Sequence, residues 1–265
     1  MVKMRDVLVI TEHMQGEFQD ITFEMLGQAR KLSAGGRCSA LVYGSMKDRA
    51  SELRAADRVL CVGGSDDFNP EAYASAALNV VQSESPSLVL VGSTSMGIDI
   101  GPILGASLNL PVVSYCSSIE NSRGGYEFTS ELSAGRMNVN VIASSAVVMV
   151  LAGSFQAEVG KSGGSATVEE VEGDFGPGRI QFKELIEPEA ADVDITQSDI
   201  LVAVGRGIKK EENLKIIEDL AETLDAEVAA SRPVVDSEWL GRARQIGSSG
   251  QTVAPRMYVA CGISG

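Results

Sequence analysis

A repeated order of short apolar runs and helix-length segments is the feature that most constrains what this chain can fold into. The runs Val7–Ile10, Val59–Val62 and Leu88–Val91 are rich in β-branched residues, and the second and third are followed directly by glycine. Helical patterns lie between the runs, for example over residues 71–83 and 98–108. Strands that alternate with helices predict a parallel sheet covered by helices on both faces, with right-handed crossovers. The fold class is therefore predicted to be α/β.

The pattern changes after residue 125. Segments Tyr126–Leu132, Asn138–Ser144 and Ala146–Ala152 are separated by polar turns and resemble strands. We predict that all three are antiparallel and that they extend or cover the parallel sheet. Earlier in the chain, a short helix is predicted over Ala50–Ala56, ahead of the strand that begins at Val59.

Composition divides the chain into two predicted domains. Residues 153–198 are rich in Gly, Ser, Pro and acidic residues, which is typical of a linker region. We place the boundary near its end, so that residues 1–191 form the first domain and 192–265 the second. The second domain is again α/β, with predicted strands Ile200–Val204 and Met257–Cys261 and an amphipathic helix over Glu211–Leu224.

Charge and composition exclude several classes of protein. The chain has 22 Lys+Arg against 36 Asp+Glu, a formal net charge of −14, which disfavours contact with a phosphate backbone and argues against nucleic-acid binding. It has one histidine and four widely spaced cysteines, so a multi-histidine metal site and a disulfide framework are not expected. No signal peptide or spanning segment is evident, and we expect a cytoplasmic protein without membrane insertion.

Three predicted strands of the second domain are followed by small residues together with a hydroxyl group or an arginine. These segments are Gly205-Arg206-Gly207, Ser231-Arg232 and Gly262-Ile263-Ser264-Gly265. In an open parallel sheet, ligands bind at the carboxyl ends of strands, where glycine lets backbone N–H groups approach a phosphate. The convergence predicts a nucleotide cofactor, although each glycine alone is explained equally well by a strand-to-helix turn. The loop Gln245–Gly250 adds two further hydroxyl groups.

Two weaker candidates lie in the first domain. His13 follows the first strand, and the loop Gly92–Gly97 resembles a phosphate cradle. A hydrogen-bonded turn residue and an ordinary strand-to-helix turn explain them at least as well. Neither domain carries a P-loop or a strand-placed G-x-G-x-x-G, so nucleotide hydrolysis and an ordinary dinucleotide site lose their main support.

Together these motifs resemble the alpha subunit of electron transfer flavoprotein over essentially the whole chain. In the first domain the resemblance is carried by Thr11-Glu12-His13, Glu24-Met25-Leu26-Gly27-Gln28-Ala29-Arg30 and Gly92-Ser93-Thr94-Ser95. In the second it is carried by Val204-Gly205-Arg206-Gly207-Ile208, Ala230-Ser231-Arg232-Pro233, residues 245–255 and Gly262-Ile263-Ser264-Gly265.

The resemblance implies a nucleotide-hydrolase-like first domain that contacts a beta subunit in a heterodimer, and a partial Rossmann-like FAD-binding second domain. It implies an electron carrier, not an enzyme with turnover of its own. Electrons would come from dehydrogenases, such as acyl-CoA dehydrogenases of fatty acid β-oxidation, and pass to a quinone reductase or another acceptor. FAD would be the cofactor, with AMP or a second FAD in the beta subunit.

Site roles follow from the same resemblance. Arg206 and Ser231 would line the FAD site, and Arg232 would lie against the isoalloxazine, where its charge favours the anionic reduced forms. The hydroxyl of Ser249 would reach the flavin N5. The surrounding loop would consist of Ile246, Gly247 and Ser248, and the turn that meets the cofactor phosphates would begin at Ser264 and Gly265.

The chain departs from the family pattern in two places. Ser248 stands where many family members have Gln, which shortens that side chain. The family continues beyond the position of Gly265 with a His-bearing helix and further cofactor-binding strands, so the resemblance predicts that this chain is truncated or incompletely represented. Two other functions stay open from the sequence: a flavin-free nucleotide-binding or scaffold subunit, and a subunit of an electron-bifurcating flavoprotein that uses NADH.

Overall fold

Two compact units, Met1–Lys183 and Glu184–Gly265, make up the chain. The computed structural model describes residues 5–33, 35–64, 66–133, 135–173, 175, 179–180, 182–183, 195–196, 198–247, 250–251 and 253–263. The predicted boundary between residues 191 and 192 lies outside the described residues and stays a prediction. Each unit is described by itself below.

The first unit contains eleven of the described strands and four α-helices. Its strands are β1 Val7–Ile10, β2 His13–Met14, β3 Glu17–Phe18, β4 Cys38–Tyr43, β5 Arg58–Val62, β6 Leu88–Gly92, β7 Val112–Ser122, β8 Gly125–Leu132, β9 Met137–Ala143, β10 Ala146–Val150 and β11 Thr167–Val171. Its helices are α1 Asp20–Leu32, α2 Pro70–Glu84, α3 Gly97–Leu108 and α4 Ala157–Lys161.

Nine of these strands form one mixed sheet in the order β11-β5-β4-β1-β6-β10-β7-β8-β9. The seven strands from β11 to β7 are parallel to one another, and only β8 and β9 are antiparallel to their neighbours. The predicted α/β class is confirmed. From β1 the chain proceeds to β4 and β5 on one side, and β6 then returns to the other side of β1.

The residues of β1 show why this sheet needs helices on both faces. Successive side chains of a strand point to opposite faces, so Val7 and Val9 enter one buried cluster with residues of α1. Leu8 and Ile10 enter the other cluster, with residues of α2 and α3. All four are at most 1 % exposed. Burial of each such side chain stabilises the fold by roughly 1.5–3 kcal/mol.

Two predictions for the first unit are wrong in detail. β10 was predicted antiparallel but is parallel, inserted between β6 and β7. All five of its residues are buried, so it lacks the alternation of a half-exposed strand and belongs in the middle of the sheet. The helix predicted over Ala50–Ala56 is instead a 3₁₀ segment at Gly44–Glu52. It ends at Glu52 because the next residue, Leu53, has a ψ of 55°, which is outside the helical range.

The second unit is a parallel four-stranded sheet in the order β14-β13-β12-β15. Its strands are β12 Ile200–Val204, β13 Glu227–Ser231, β14 Gln245–Ile246 and β15 Met257–Cys261, and its helices are α5 Leu214–Thr223 and α6 Arg232–Val235. Val202 and Val204 pack with α5, which buries Leu214 and Ile217. Leu201 and Ala203 face a smaller cluster with Ile195. As in the first unit, the chain leaves the first strand toward one side, and β15 returns to the other.

Candidate functional site

The carboxyl ends of the four parallel strands bring most of the described predicted residues to one edge of the second sheet. β12 ends at Val204, level with Ala230 of β13 and Cys261 of β15, and Ser231 is level with Ile246 of β14. The segments that follow these strands therefore meet at that edge. Ligands of open α/β sheets bind there, at the point where the strand order reverses.

Glycine is required where β12 and β15 end, because their backbones touch. Gly205 N donates to Cys261 O at 2.8 Å, and Gly207 N donates to Gly262 O at 2.9 Å. A Cβ at Gly205 would lie 2.3 Å from Gly262 O, and Gly262 itself has a φ of +69°. The two glycines of the Gly205-Arg206-Gly207 motif and Gly262 thus serve the strand-end contact directly.

Beside this contact lies a cavity of about 410 Å³. Its lining residues are Arg206, Gly207, Ser231, Pro233, Gly262 and Ile263. Within the described part of the chain, the exposed Arg206 guanidinium makes no ion pair and no hydrogen bond. Ser231 holds the N-cap position of α6, but its hydroxyl makes no capping hydrogen bond. A cation and a hydroxyl without partners among the described residues, both on one cavity, fit an anionic, oxygen-rich ligand such as a nucleotide cofactor.

Arg232 faces a second, smaller cavity of about 240 Å³. This cavity is also lined by Val235, Asp236, Arg242 and Gln245. Arg232 Nε lies 3.4 Å from Asp236 Oδ2, and both side chains are largely exposed. Sequence reasoning missed Asp236 and Arg242. Asp236 was detectable in principle, since it lies four residues after Arg232 on one helical turn.

The loop after β14 is closed by its own backbone. Gln251 N donates to Gln245 O at 2.8 Å, and Gly250 N donates to Gly247 O at 2.9 Å. Gly247 has a φ of +107° and open space where a Cβ would lie. The half-buried side chain of Ile246 packs against the core of the sheet, so only its backbone faces the loop. The predicted residues Ser248, Ser249, Ser264 and Gly265 lie outside the described residues.

The weaker candidate residues of the first unit make hydrogen bonds to other residues of the same unit. Thr94 Oγ1 donates to the Glu12 carboxylate, at 2.8 Å from Oε1 and 2.7 Å from Oε2, and accepts from Gly97 N at 3.1 Å. Glu12 is 3 % exposed, and this burial raises the pKa of its carboxyl above the usual value despite the Thr94 and Gly92 hydrogen bonds.

His13 is buried as well, at 8 % exposure, with Nε2 lying 3.4 Å from the Tyr73 hydroxyl. Burial lowers its pKa below the ordinary value, while the nearby Asp66 opposes the shift. The contact with Tyr73 agrees with the alternative of an internally bonded histidine, but His13 lies in the short strand β2 and not in a turn.

Metal and membrane features are not found where the chain is described. No group of three or more His, Cys, Asp or Glu side chains there is placed to hold a metal ion. Among the described helices, none is long and apolar enough to cross a bilayer. The four cysteines are free thiols, of which Cys38, Cys61 and Cys116 are buried.

Comparison with known proteins shows that this α/β chain is similar to flavoproteins. Residues 7–175 match the family model described as electron transfer flavoprotein domain, and residues 194–265 match the electron transfer flavoprotein FAD-binding domain. The chain therefore belongs to the electron transfer flavoprotein family and is an alpha-type electron transfer subunit.

Three relatives illustrate the range of the family. The electron transfer flavoprotein subunit alpha of Bacillus subtilis (strain 168) is 30 % identical over 98 % of this chain and 82 % of its own length. That of Megasphaera elsdenii is 32 % identical over 100 % of this chain and 83 % of its own. Subunit LctC of the lactate dehydrogenase (NAD(+),ferredoxin) of Acetobacterium woodii is 29 % identical over 98 % and 65 %.

Proposed function

We propose that this chain binds FAD at the carboxyl edge of its second sheet and carries electrons between partner oxidoreductases, in a heterodimer with a beta subunit. The observation that carries the proposal is that Arg206 and Ser231 line one cavity, where the Arg206 guanidinium has no ion pair or hydrogen bond among the described residues and the Ser231 hydroxyl makes no capping hydrogen bond. This cavity lies in the unit that matches the family's FAD-binding domain. When bound, FAD supplies the electron-accepting and electron-donating chemistry.

In this proposal, different residues of the carboxyl edge bind different groups of the cofactor. Arg206, Ser231 and the glycine backbone around Gly262 suit the phosphate and ribose groups, because they supply charge and donors where β12, β13 and β15 end. In this proposal Ser264 and Gly265 extend that region. Arg232, one residue beyond Ser231, places a positive charge toward the flavin ring, which favours negative charge on that ring and raises its reduction potential.

The loop after β14 completes the flavin side of the site. Gly247 takes a backbone conformation that favours glycine and leaves open space above it. In this proposal the backbones of Ile246 and Gly247, together with Ser248, surround the ring, and the Ser249 hydroxyl donates to the flavin N5. No residue of this chain is assigned a catalytic role, since turnover would occur in the partner oxidoreductases.

Partner and route are finer proposals. Dehydrogenases, such as those acting on acyl-CoA, would be donors, and a quinone reductase or another protein would be the acceptor. A second candidate is a role in electron bifurcation from NADH, which the name of the LctC relative favours. That role would place a second FAD in the beta subunit, where a carrier without bifurcation would instead hold AMP.

Purification of the chain with its beta subunit tests the main proposal. We expect a flavin absorbance band, and FAD on release by heat. Counting FAD and AMP per heterodimer separates the candidates: one FAD with AMP fits the carrier, whereas two FAD and reduction by NADH fit bifurcation. A folded heterodimer without flavin would contradict the proposal and favour a nucleotide-binding or scaffold subunit.

A matched pair of arginines tests the assignment of Arg232. Arg232 pairs with Asp236 at the carboxyl edge, and Arg256 pairs with Asp199 at 3.7 Å just ahead of β15 and β12, at the amino edge of the same sheet. We expect Arg232→Ala to lower the flavin potential and Arg256→Ala to leave it unchanged. Equal shifts in both variants would show a long-range charge effect and would remove Arg232 from its assigned place.

A further inference from the structure

Asp236 is fixed beside Arg232 by one turn of helix. α6 begins at Arg232, and Asp236 follows it directly, with Asp236 N donating to Arg232 O at 2.8 Å. This backbone bond sets the two side chains four positions apart on the same face, where Arg232 Nε lies 3.4 Å from Asp236 Oδ2. Among the described residues, Asp236 is the acidic side chain that contacts this guanidinium.

The two side chains face the same cavity, which gives their contact a role beyond the helix. Five residues line this cavity, and three of them are charged: Arg232, Asp236 and Arg242. Gln245, the first residue of β14, forms another part of its wall. The Arg242 side chain has no ion pair or hydrogen bond within the described chain. Asp236 is the one acidic group among the described residues that line the cavity, so it offsets part of the positive charge there.

We infer that Asp236 is a positioning residue for Arg232, which it holds on the helix side of the cavity, and that the pair, instead of the arginine alone, sets the potential of a flavin bound at this edge. The inference rests on the proposed function. A guanidinium held by this carboxylate approaches the ring less closely, and this weakens the field that favours negative charge on the ring. In water an exposed pair of this kind contributes little. A bound ring would exclude solvent from the cavity, and the interaction would strengthen as the local dielectric falls.

Substitution of Asp236 in the FAD-loaded heterodimer tests the inference. Asp236→Asn removes the negative charge and keeps the side-chain size, so we expect the flavin midpoint potential to rise. The expected change in the reduction equilibrium is about three- to tenfold, which is about 14 to 30 mV for a two-electron couple. Asp236→Glu keeps the charge, and its flavin potential is expected to stay close to the native value. The control Asp199→Asn, at the amino edge, is expected to have no effect.

The double variant tests whether Asp236 acts through Arg232. If it does, Asp236→Asn shifts the potential by less than half as much in an Arg232→Ala background as in the native one. An equal shift in both backgrounds would show that the carboxylate acts on the ring directly and would overturn the inference. So would an unchanged or lowered potential in Asp236→Asn itself.

Failure of the proposed function gives a different result. A heterodimer that carries no flavin contradicts the function and this inference together. A flavin-loaded heterodimer that responds to Arg232→Ala but not to Asp236→Asn keeps the function and overturns the inference alone. A potential that responds to neither substitution places the ring elsewhere on the chain.

Discussion

The mixed sheet of the first unit and the parallel sheet of the second follow the same order of connections around their first strand, but they differ at the carboxyl edge of the parallel strands. In each, the first strand is followed by neighbours on one side and by a returning strand on the other: β1 lies beside β6, and β12 beside β15. At the first edge, Thr94 donates to the Glu12 carboxylate, and Glu12 is shielded from water. At the second, the Arg206 guanidinium and the Ser231 hydroxyl face a cavity without partners among the described residues.

This difference teaches which signal identifies a binding edge. Both edges carry the same order of strand, glycine and hydroxyl or charged residue, as in Gly92-Ser93-Thr94 and Gly205-Arg206-Gly207. At the second edge, the Arg206 guanidinium and the Ser231 hydroxyl have no partner among the described residues. Unpaired polar groups at a concave surface are what a polar ligand satisfies. The glycines themselves do not separate the two cases, since in both they serve close contacts of the chain with itself.

The largest expected effect comes from removing the hydrogen bond between Glu12 and Thr94, at the edge of the first sheet that we call the closed edge. Glu12→Ala would remove the acceptor for Thr94 and leave a cavity in a buried region, so we expect a loss of about 2–4 kcal/mol in the unfolding free energy of the first unit. The only tryptophan, Trp239, lies in the second unit. Denaturant unfolding followed by circular dichroism should shift, while the Trp239 fluorescence transition should not. An equal shift of both would contradict assignment of the effect to the first unit.

A smaller effect is expected from crowding the strand ends at the carboxyl edge of the second sheet, which we call the open edge. In Gly205→Ala the new Cβ would lie 2.3 Å from Gly262 O, and overpacking of this kind costs about 1–3 kcal/mol. We expect lower stability by Trp239 fluorescence and loss of bound flavin. Gly241→Ala is the matched control, because a Cβ there meets nothing within 4 Å. A Gly205→Ala variant that keeps native stability and flavin would show that β12 and β15 separate freely at this edge.

Much of this organisation was predictable from sequence, and the failures share one physical cause. The strands Val7–Ile10, Ile200–Val204 and Met257–Cys261 were predicted with their observed bounds, because a continuous apolar run is a local signal. The parallel orientation of β10 was not, since it depends on its neighbours. The bond between Glu12 and Thr94 joins residues 82 positions apart, and periodicity along the chain does not specify such a pairing.

The candidate site divides in the same way. Arg206, Ser231 and Arg232 could be proposed as site residues because each lies at the end of a strand, or just after it, and these strands are evident from the local sequence pattern. The contacts of these side chains could not be predicted from the sequence. The Ser231 hydroxyl makes no capping hydrogen bond, and Asp236 contacts Arg232; both observations depend on side-chain conformation. The sequence thus predicts where the edge lies, and the structure adds which groups at that edge are available.

A still smaller change tests the availability of the Ser231 hydroxyl. Ser231→Ala removes one neutral hydrogen bond to a ligand, so we expect flavin affinity to weaken about three- to tenfold. Stability of the flavin-free chain should not change, because the hydroxyl caps nothing. Ser237→Ala, whose hydroxyl bonds to Pro233 O at 2.9 Å, is the control and should retain flavin affinity. A loss of stability in the flavin-free Ser231→Ala chain would mean that the hydroxyl has a structural partner after all.

The smallest effect concerns the pH dependence of the closed edge. Burial raises the folded-state pKa of Glu12 above its ordinary value of 4.5. The folded first unit therefore holds this proton more tightly than the unfolded chain does. The resulting stabilisation is complete below the unfolded pKa and is lost as pH rises through the folded pKa. Glu12→Gln does not titrate and lacks this component.

Other carboxyl groups of the first unit oppose this slope, so the test is a difference between two proteins. Hydrogen bonds, in most cases from ion-pair partners, lower the pKa of Glu17, Asp66, Glu71 and Glu169, which makes the folded unit more stable as pH rises. Those contributions are common to the native chain and Glu12→Gln and cancel on subtraction. We expect the native unfolding free energy to fall relative to that of Glu12→Gln as pH rises above 4.5. A difference that is flat, or that rises, would mean that Glu12 is ionised without penalty and that water reaches the first edge.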